Sequence, residues 1–129
     1  MDANGLTVVH KEISFEIVGA AMEVLNTLGH GLNEKVYENA LVTELRLRGM
    51  QVDQQKRFKV LYKKAVVGEY VPDLLVNDKV IVDTKVIEAV SDAEVGQVMN
   101  YLRIAKLDLG IILNFRRPKL EYRRVVLSD

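Results

Sequence analysis

The chain has 129 residues, 49% of them hydrophobic, and its 18 Lys plus Arg balance 18 Asp plus Glu to give a formal net charge of zero. One domain of this size buries a real core, which excludes wholesale disorder, and the zero balance excludes a hold on nucleic acid by bulk charge alone, though a local basic face remains open. With no Cys and only His10 and His30, a disulfide scaffold, a thiolate zinc site, an iron–sulfur cluster and a cysteine nucleophile are excluded, and any metal is expected to be a hard cation held mainly by carboxylates.

Met1-Asp2-Ala3-Asn4-Gly5 lacks the basic and apolar regions of a signal peptide, and residues 1–8 are expected to be flexible. No apolar run approaches the ~20 residues that cross a bilayer, so the expectation is a cytoplasmic protein without a membrane partner. Residues 11–28 read as an amphipathic helix, with Ile13, Ile17, Ala20, Ala21, Val24, Leu25 and Leu28 in one stripe, stopped by Gly29-His30-Gly31. A second helix fits 34–48, where Tyr37, Leu41 and Leu45 recur at steps of four, Val36, Ala40 and Leu47 broaden the face, and Gly49 closes it.

The period then changes to two. Phe58, Val60 and Tyr62 alternate with Lys59, Leu61 and Lys63, the mark of a half-exposed strand. Lys63-Lys64 turns the chain into a strand through Val66–Val76, interrupted by Gly68 and Pro72; Asn77-Asp78 turns it again into Lys79–Ile87. Ser91-Asp92-Ala93-Glu94 has the spacing of a capping box, and the helix behind it buries Val95, Val98, Met99, Leu102 and Ala105. Leu109–Phe115 reads as a buried strand, Arg116-Arg117-Pro118-Lys119 as a turn and 120–127 as the last strand. The order predicts one α/β domain, 1–129, with a mixed sheet flanked by helices.

Asp83 and Lys85 are two apart on a strand, so both side chains leave one face, at the polar end of an apolar run. Asp73 joins them if Asn77, Asp78 and Lys79 form a three-residue loop, which pairs Val76 with Val80 and sets Asp73 opposite Asp83. A two-residue loop pairs Asp73 with Val82 and puts the aspartates on opposite faces. Two converging carboxylates can hold Mg²⁺ while leaving positions for water and a phosphate oxygen, and a lysine beside them can orient that water or stabilise charge. Asp-x-Lys is a common tripeptide, and an ordinary ion pair at a strand end fits the spacing equally. Glu94, Gln97 and Tyr101 share one helix face, as phosphate or water ligands or as a solvated flank. Glu34 with Tyr37 opens the second helix, either as part of the site or as a helix start and a core tyrosine.

Gly31-Leu32-Asn33-Glu34-Lys35-Val36-Tyr37 resembles the signature of the GxxExxY proteins, followed by Glu38-Asn39-Ala40-Leu41. The resemblance continues through Gln54-Gln55-Lys56, Gly68-Glu69-Tyr70, Asp73-Leu74-Leu75-Val76, Lys79-Val80-Ile81-Val82, Gln97, Tyr101-Leu102 and Leu113-Asn114-Phe115, over roughly residues 9–127. That family is a small branch of the PD-(D/E)xK nuclease superfamily. The resemblance implies a restriction-endonuclease-like core with an extra N-terminal helix. It also implies metal ligands Asp73 and Asp83 with Glu34 as an additional acid, Lys85 as the catalytic lysine, and Gln97, with Tyr101 near it, as the polar residue of the following helix. Where the family usually has Glu-Leu-Lys this chain has Asp83-Thr84-Lys85, and Glu94 stands where histidine is common.

The expected function is a Mg²⁺- or Mn²⁺-dependent nuclease that hydrolyses phosphodiester bonds in DNA, with RNA as the lesser expectation. Tyr37, Tyr101, Lys56, Arg57, Arg116 and Arg117 are candidate nucleic-acid contacts. The alternative is a catalytically silent nuclease-fold module that binds nucleic acid or serves as a structural subunit, with the first helix available to a homodimer.

Overall fold

The computed structural model describes residues 10–127, so the expected flexible segment 1–8 lies outside the described residues. In chain order the elements are α1 (Lys11–Leu28), α2 (Glu34–Leu47), β1 (Val52–Gln54), β2 (Phe58–Tyr62), β3 (Ala65–Tyr70), β4 (Leu74–Val76), β5 (Val80–Lys85), α3 (Asp92–Ala105), β6 (Leu109–Asn114) and β7 (Glu121–Val126). Alternation along β5 decides the layering. Val80 and Val82 join the core under α1 and α2, whereas Ile81 joins a second core under α3. The strand is therefore buried on both faces until Asp83, where its polar end begins.

The central sheet has the order β1-β4-β5-β6-β7, parallel between β5 and β6 and antiparallel elsewhere; β2 and β3 form a separate hairpin. The parallel step is made by the α3 crossover, whose N-terminus carries the expected capping box: Ser91 accepts from the Ala93 amide, and Glu94 accepts from the Ser91 amide. Helix α3 lies so close to β6 that a Cβ at Gly110 would stand 2.6 Å from Val98 Cγ1. The crossover thus depends on a residue without a side chain.

Three expectations are corrected. The single strand 66–76 is two strands in different sheets, because Pro72 removes an amide between them and lets the chain leave the hairpin for the central sheet. Val52–Gln54, to which the sequence reading assigns no element, is the edge strand β1, paired with β4. Val36 and Leu47 do not broaden the buried face of α2; they are 42% and 78% exposed, because Tyr37, Leu41 and Leu45 already fill the contact with the sheet.

Candidate functional site

The loop after β4 decides the site. Asn77 and Asp78 both adopt left-handed conformations, with φ of 53° and 56°, and Lys79 donates its amide to the Val76 carbonyl at 3.0 Å. Val76 therefore pairs with Val80 and Leu74 with Val82, the register of the three-residue loop, which carries Asp73 to the position facing Asp83. Asp73 is then fixed by Thr84: its Oδ2 accepts the Thr84 amide at 2.8 Å and the Thr84 hydroxyl at 3.0 Å. Its other carboxylate oxygen takes no part in these bonds.

Asp83 and Lys85 emerge together on the α3 side, with Lys85 Nζ 3.5 Å from Asp83 Oδ2. Burial pushes the Asp83 carboxyl up to about 6, and the neighbouring Asp73 charge adds to the rise against the opposing pull of Lys85. Lys85 is held above its ordinary value: burial works against its charge, but Asp83, Glu34 and Asp73 outweigh burial. The Tyr70 hydroxyl is likewise pushed up, by burial first and then by the charge of Asp83. Its ring stacks on Tyr101 with centroids 3.8 Å apart, placing both tyrosines along this wall.

The remaining expected residues are dispersed around this centre. Glu34 starts α2 behind the Asn33 cap and accepts the Val86 amide at 3.2 Å, at the mouth of a cleft of about 520 Å³ lined also by Leu32, Lys35 and Glu38. Its charge reaches Lys85, but among the described residues no three acids or histidines gather closely enough to hold a metal ion. Gln97 is exposed on α3 between Glu94 and Tyr101. The Glu94 carboxyl is lowered by its bonds from the Ser91 amide and hydroxyl.

Lys56 and Arg57 sit exposed before the hairpin, Lys56 4.0 Å from Asp78. Arg116 and Arg117 are exposed but pair with Glu88 at 3.4 and 3.1 Å. Tyr37 departs from the expected nucleic-acid contact. It is wholly buried and stacked on Phe115, with its hydroxyl donating to the Gly29 carbonyl and accepting the Leu32 amide at 3.0 Å. It pins the turn that presents Glu34.

Sequence reasoning missed Glu38, Tyr70, Thr84 and Asn114 as supporting residues. Glu38 is 4% exposed and accepts from Lys35, Gln54 and Gln55 at 2.9, 2.6 and 3.0 Å. Burial raises its carboxyl, but these three donors outweigh it and leave the group below its ordinary range. Asn114, the register partner of Lys85, clamps the chain beyond β5 by accepting the Ile87 amide at 3.1 Å and donating to the Ile87 carbonyl at 2.9 Å.

The pair fits a hard divalent cation: two facing carboxylates, the charge of Asp83 disfavoured by burial and by its neighbour Asp73, with an ammonium alongside. Asp73 and Asp83 are the residues that would hold it.

Residues 11–125 match the family profile of the PD-(D/E)XK nuclease superfamily. No curated protein matches the chain significantly. Among solved structures, the chain is similar in fold to the crystal structure of SSO0001, with a TM-score of 0.57 and 13% identity over 93% of this chain, which spans 59% of that one.

Proposed function

Because the chain belongs to the PD-(D/E)XK nuclease superfamily, we propose that it hydrolyses phosphodiester bonds in DNA with Mg²⁺ or Mn²⁺, as a member of the GxxExxY branch that its Gly31–Tyr37 segment resembles. The observation that carries this reading is the meeting of Asp73 and Asp83 across β4 and β5 beside the Lys85 ammonium. A bound divalent ion supplies an activated water and neutralises charge developing on phosphorus. Asp73 and Asp83 would hold that ion, with Thr84 fixing the Asp73 carboxylate. Lys85, kept protonated by the surrounding acids, stabilises the growing negative charge of the phosphate oxygens and does not act as a base. Tyr70 remains a neutral phenol able to donate a hydrogen bond, and Gln97 orients water or a phosphate oxygen from α3.

The test is a cleavage assay on labelled single-stranded, duplex and branched DNA and on RNA, run beside calorimetry with Mg²⁺ and Mn²⁺ on wild type and Asp83→Asn. Metal binding and cleavage that both disappear in Asp83→Asn support the reading. Nucleic-acid binding without cleavage of any substrate overturns it in favour of a silent binding module, a reading that the separate position of Glu34 favours.

A further inference from the structure

The β2–β3 hairpin stands outside the central sheet, and its base and tip are differently made. At the base, Phe58, Val60 and Tyr70 pack into the core under α3. At the tip, Leu61, Tyr62, Val66 and Val67 are 59%, 63%, 59% and 61% exposed. Four large apolar residues grouped at the end of an arm contribute little to this fold and mark a contact surface.

The charge of the arm narrows the partner. Residues 56–70 contain Lys56, Arg57, Lys59, Lys63 and Lys64 against Glu69 alone, in a chain whose net charge is zero. Lys63 and Lys64 occupy the turn itself with φ of 48° and 74°, positions that two-residue hairpins usually give to Asn or Gly. The Lys63 ammonium lies 5.5 Å from the centroid of the Tyr62 ring. An exposed aromatic ring framed by lysines combines a stacking platform with cations for the flanking phosphates.

We propose that this hairpin is a binding arm for unpaired nucleotides, with Tyr62 stacking on a base and the turn residues Lys63 and Lys64 holding the neighbouring phosphates; the choice of nucleic acid over other polyanions rests on the nuclease reading. Position supports it. Phe58 is the register partner of Tyr70, whose ring stacks on Tyr101 of α3, so the arm leaves from the site wall, and Tyr62 lies beyond the register shift between Val60 and Leu61. The four residue steps from Phe58 to Tyr62 cover about 13 Å, roughly four stacked nucleotides along one strand. A base inside an intact duplex is already stacked on both faces and has none to offer Tyr62, so the arm selects single strands and flaps.

Fluorescence anisotropy in EDTA, where binding is read without cleavage, tests this on single-stranded and blunt duplex oligonucleotides. Tyr62→Ala is expected to weaken single-strand binding about 5- to 100-fold, with Tyr62→Phe restoring it and blunt-duplex affinity unchanged within about twofold. Lys63→Gln and Lys64→Gln are each expected to lower the slope of log affinity against log salt by about 0.7 on single strands. Unchanged thermal melting shows that these exposed variants fold. Single-strand affinity of Tyr62→Ala within twofold of wild type, equal losses on both substrates, or no binding of either oligonucleotide by wild type overturns the proposal. So does a tip that binds phosphatidylserine vesicles and contributes nothing to oligonucleotide binding, which makes it a lipid contact. Failure of cleavage with Mg²⁺ or Mn²⁺ overturns the nuclease reading separately, since the Tyr62 dependence is measured without metal.

Discussion

Thr84 donates twice to one oxygen of Asp73, once from its amide at 2.8 Å and once from its hydroxyl at 3.0 Å. Strand β4 begins at Leu74, so the Asp73 side chain takes the place that the next ladder carbonyl would have filled. The Thr84 hydroxyl thus adds a bond to a proposed metal ligand.

The pair is expected to be energetically coupled. Asp73→Ala strands a buried amide and hydroxyl and should cost about 1–3 kcal/mol, whereas Thr84→Val removes one hydroxyl and should cost about 1 kcal/mol. The double variant should fall short of the sum by at least ~0.5 kcal/mol in urea unfolding. Strict additivity would remove Thr84 as the anchor of Asp73.

Asp83 sets a pH dependence of the metal-free protein. Its folded value of about 6 lies above the ordinary 3.8, so between these values the folded state binds more protons than the unfolded one. Stability from this group is full below about pH 4 and is lost as pH rises through about 6, by on the order of 2–3 kcal/mol. Comparing wild type with Asp83→Asn in EDTA at pH 4.5 and 7.5 isolates the effect: the variant should lose less stability on going to the higher pH. Equal losses in both proteins would mean that Asp83 carries its charge freely.

Lys85 separates chemistry from binding. As an ammonium acting on transition-state charge, its loss in Lys85→Ala should reduce turnover on the order of 10²–10³-fold while substrate affinity changes little. Single-turnover rates and anisotropy titrations on the same DNA distinguish the two, and a matching loss in both would make Lys85 a phosphate contact only.

Much of this centre was legible in the sequence. The two-residue spacing of Asp83 and Lys85 fixed their common face, and the tolerance of Asn77 and Asp78 for left-handed backbone made the register of Asp73 readable as one of two alternatives. Glu38 was not legible, since a charged residue on a short helix reads as solvated surface. Its donors Gln54 and Gln55 come from and just beyond a three-residue strand too short to carry a periodic signal. The split of 66–76 was hidden for a related reason, because apolar residues run on either side of Pro72 and only the tertiary fold assigns them to different sheets.

Tyr37 is expected to matter for folding and not for nucleic acid. Tyr37→Phe keeps the ring stacked on Phe115 but deprives the Leu32 amide and the Gly29 carbonyl of a partner, at a cost of about 1–3 kcal/mol in denaturant unfolding. DNA affinity of the folded variant should equal that of wild type. A selective loss of affinity with unchanged stability would restore the ring to the interface.

The close seating of Val98 on Gly110 gives the site wall its calibre. Gln97 neighbours Val98 in the chain and Tyr101 follows one turn later, so the gap between helix and sheet sets how far both stand from Asp83. One methyl group at Gly110 would act as a shim, lifting the helix from a position outside the chemistry. The spacing of this wall is thereby governed from beneath the helix, and side-chain size at this remote position becomes a means of tuning it.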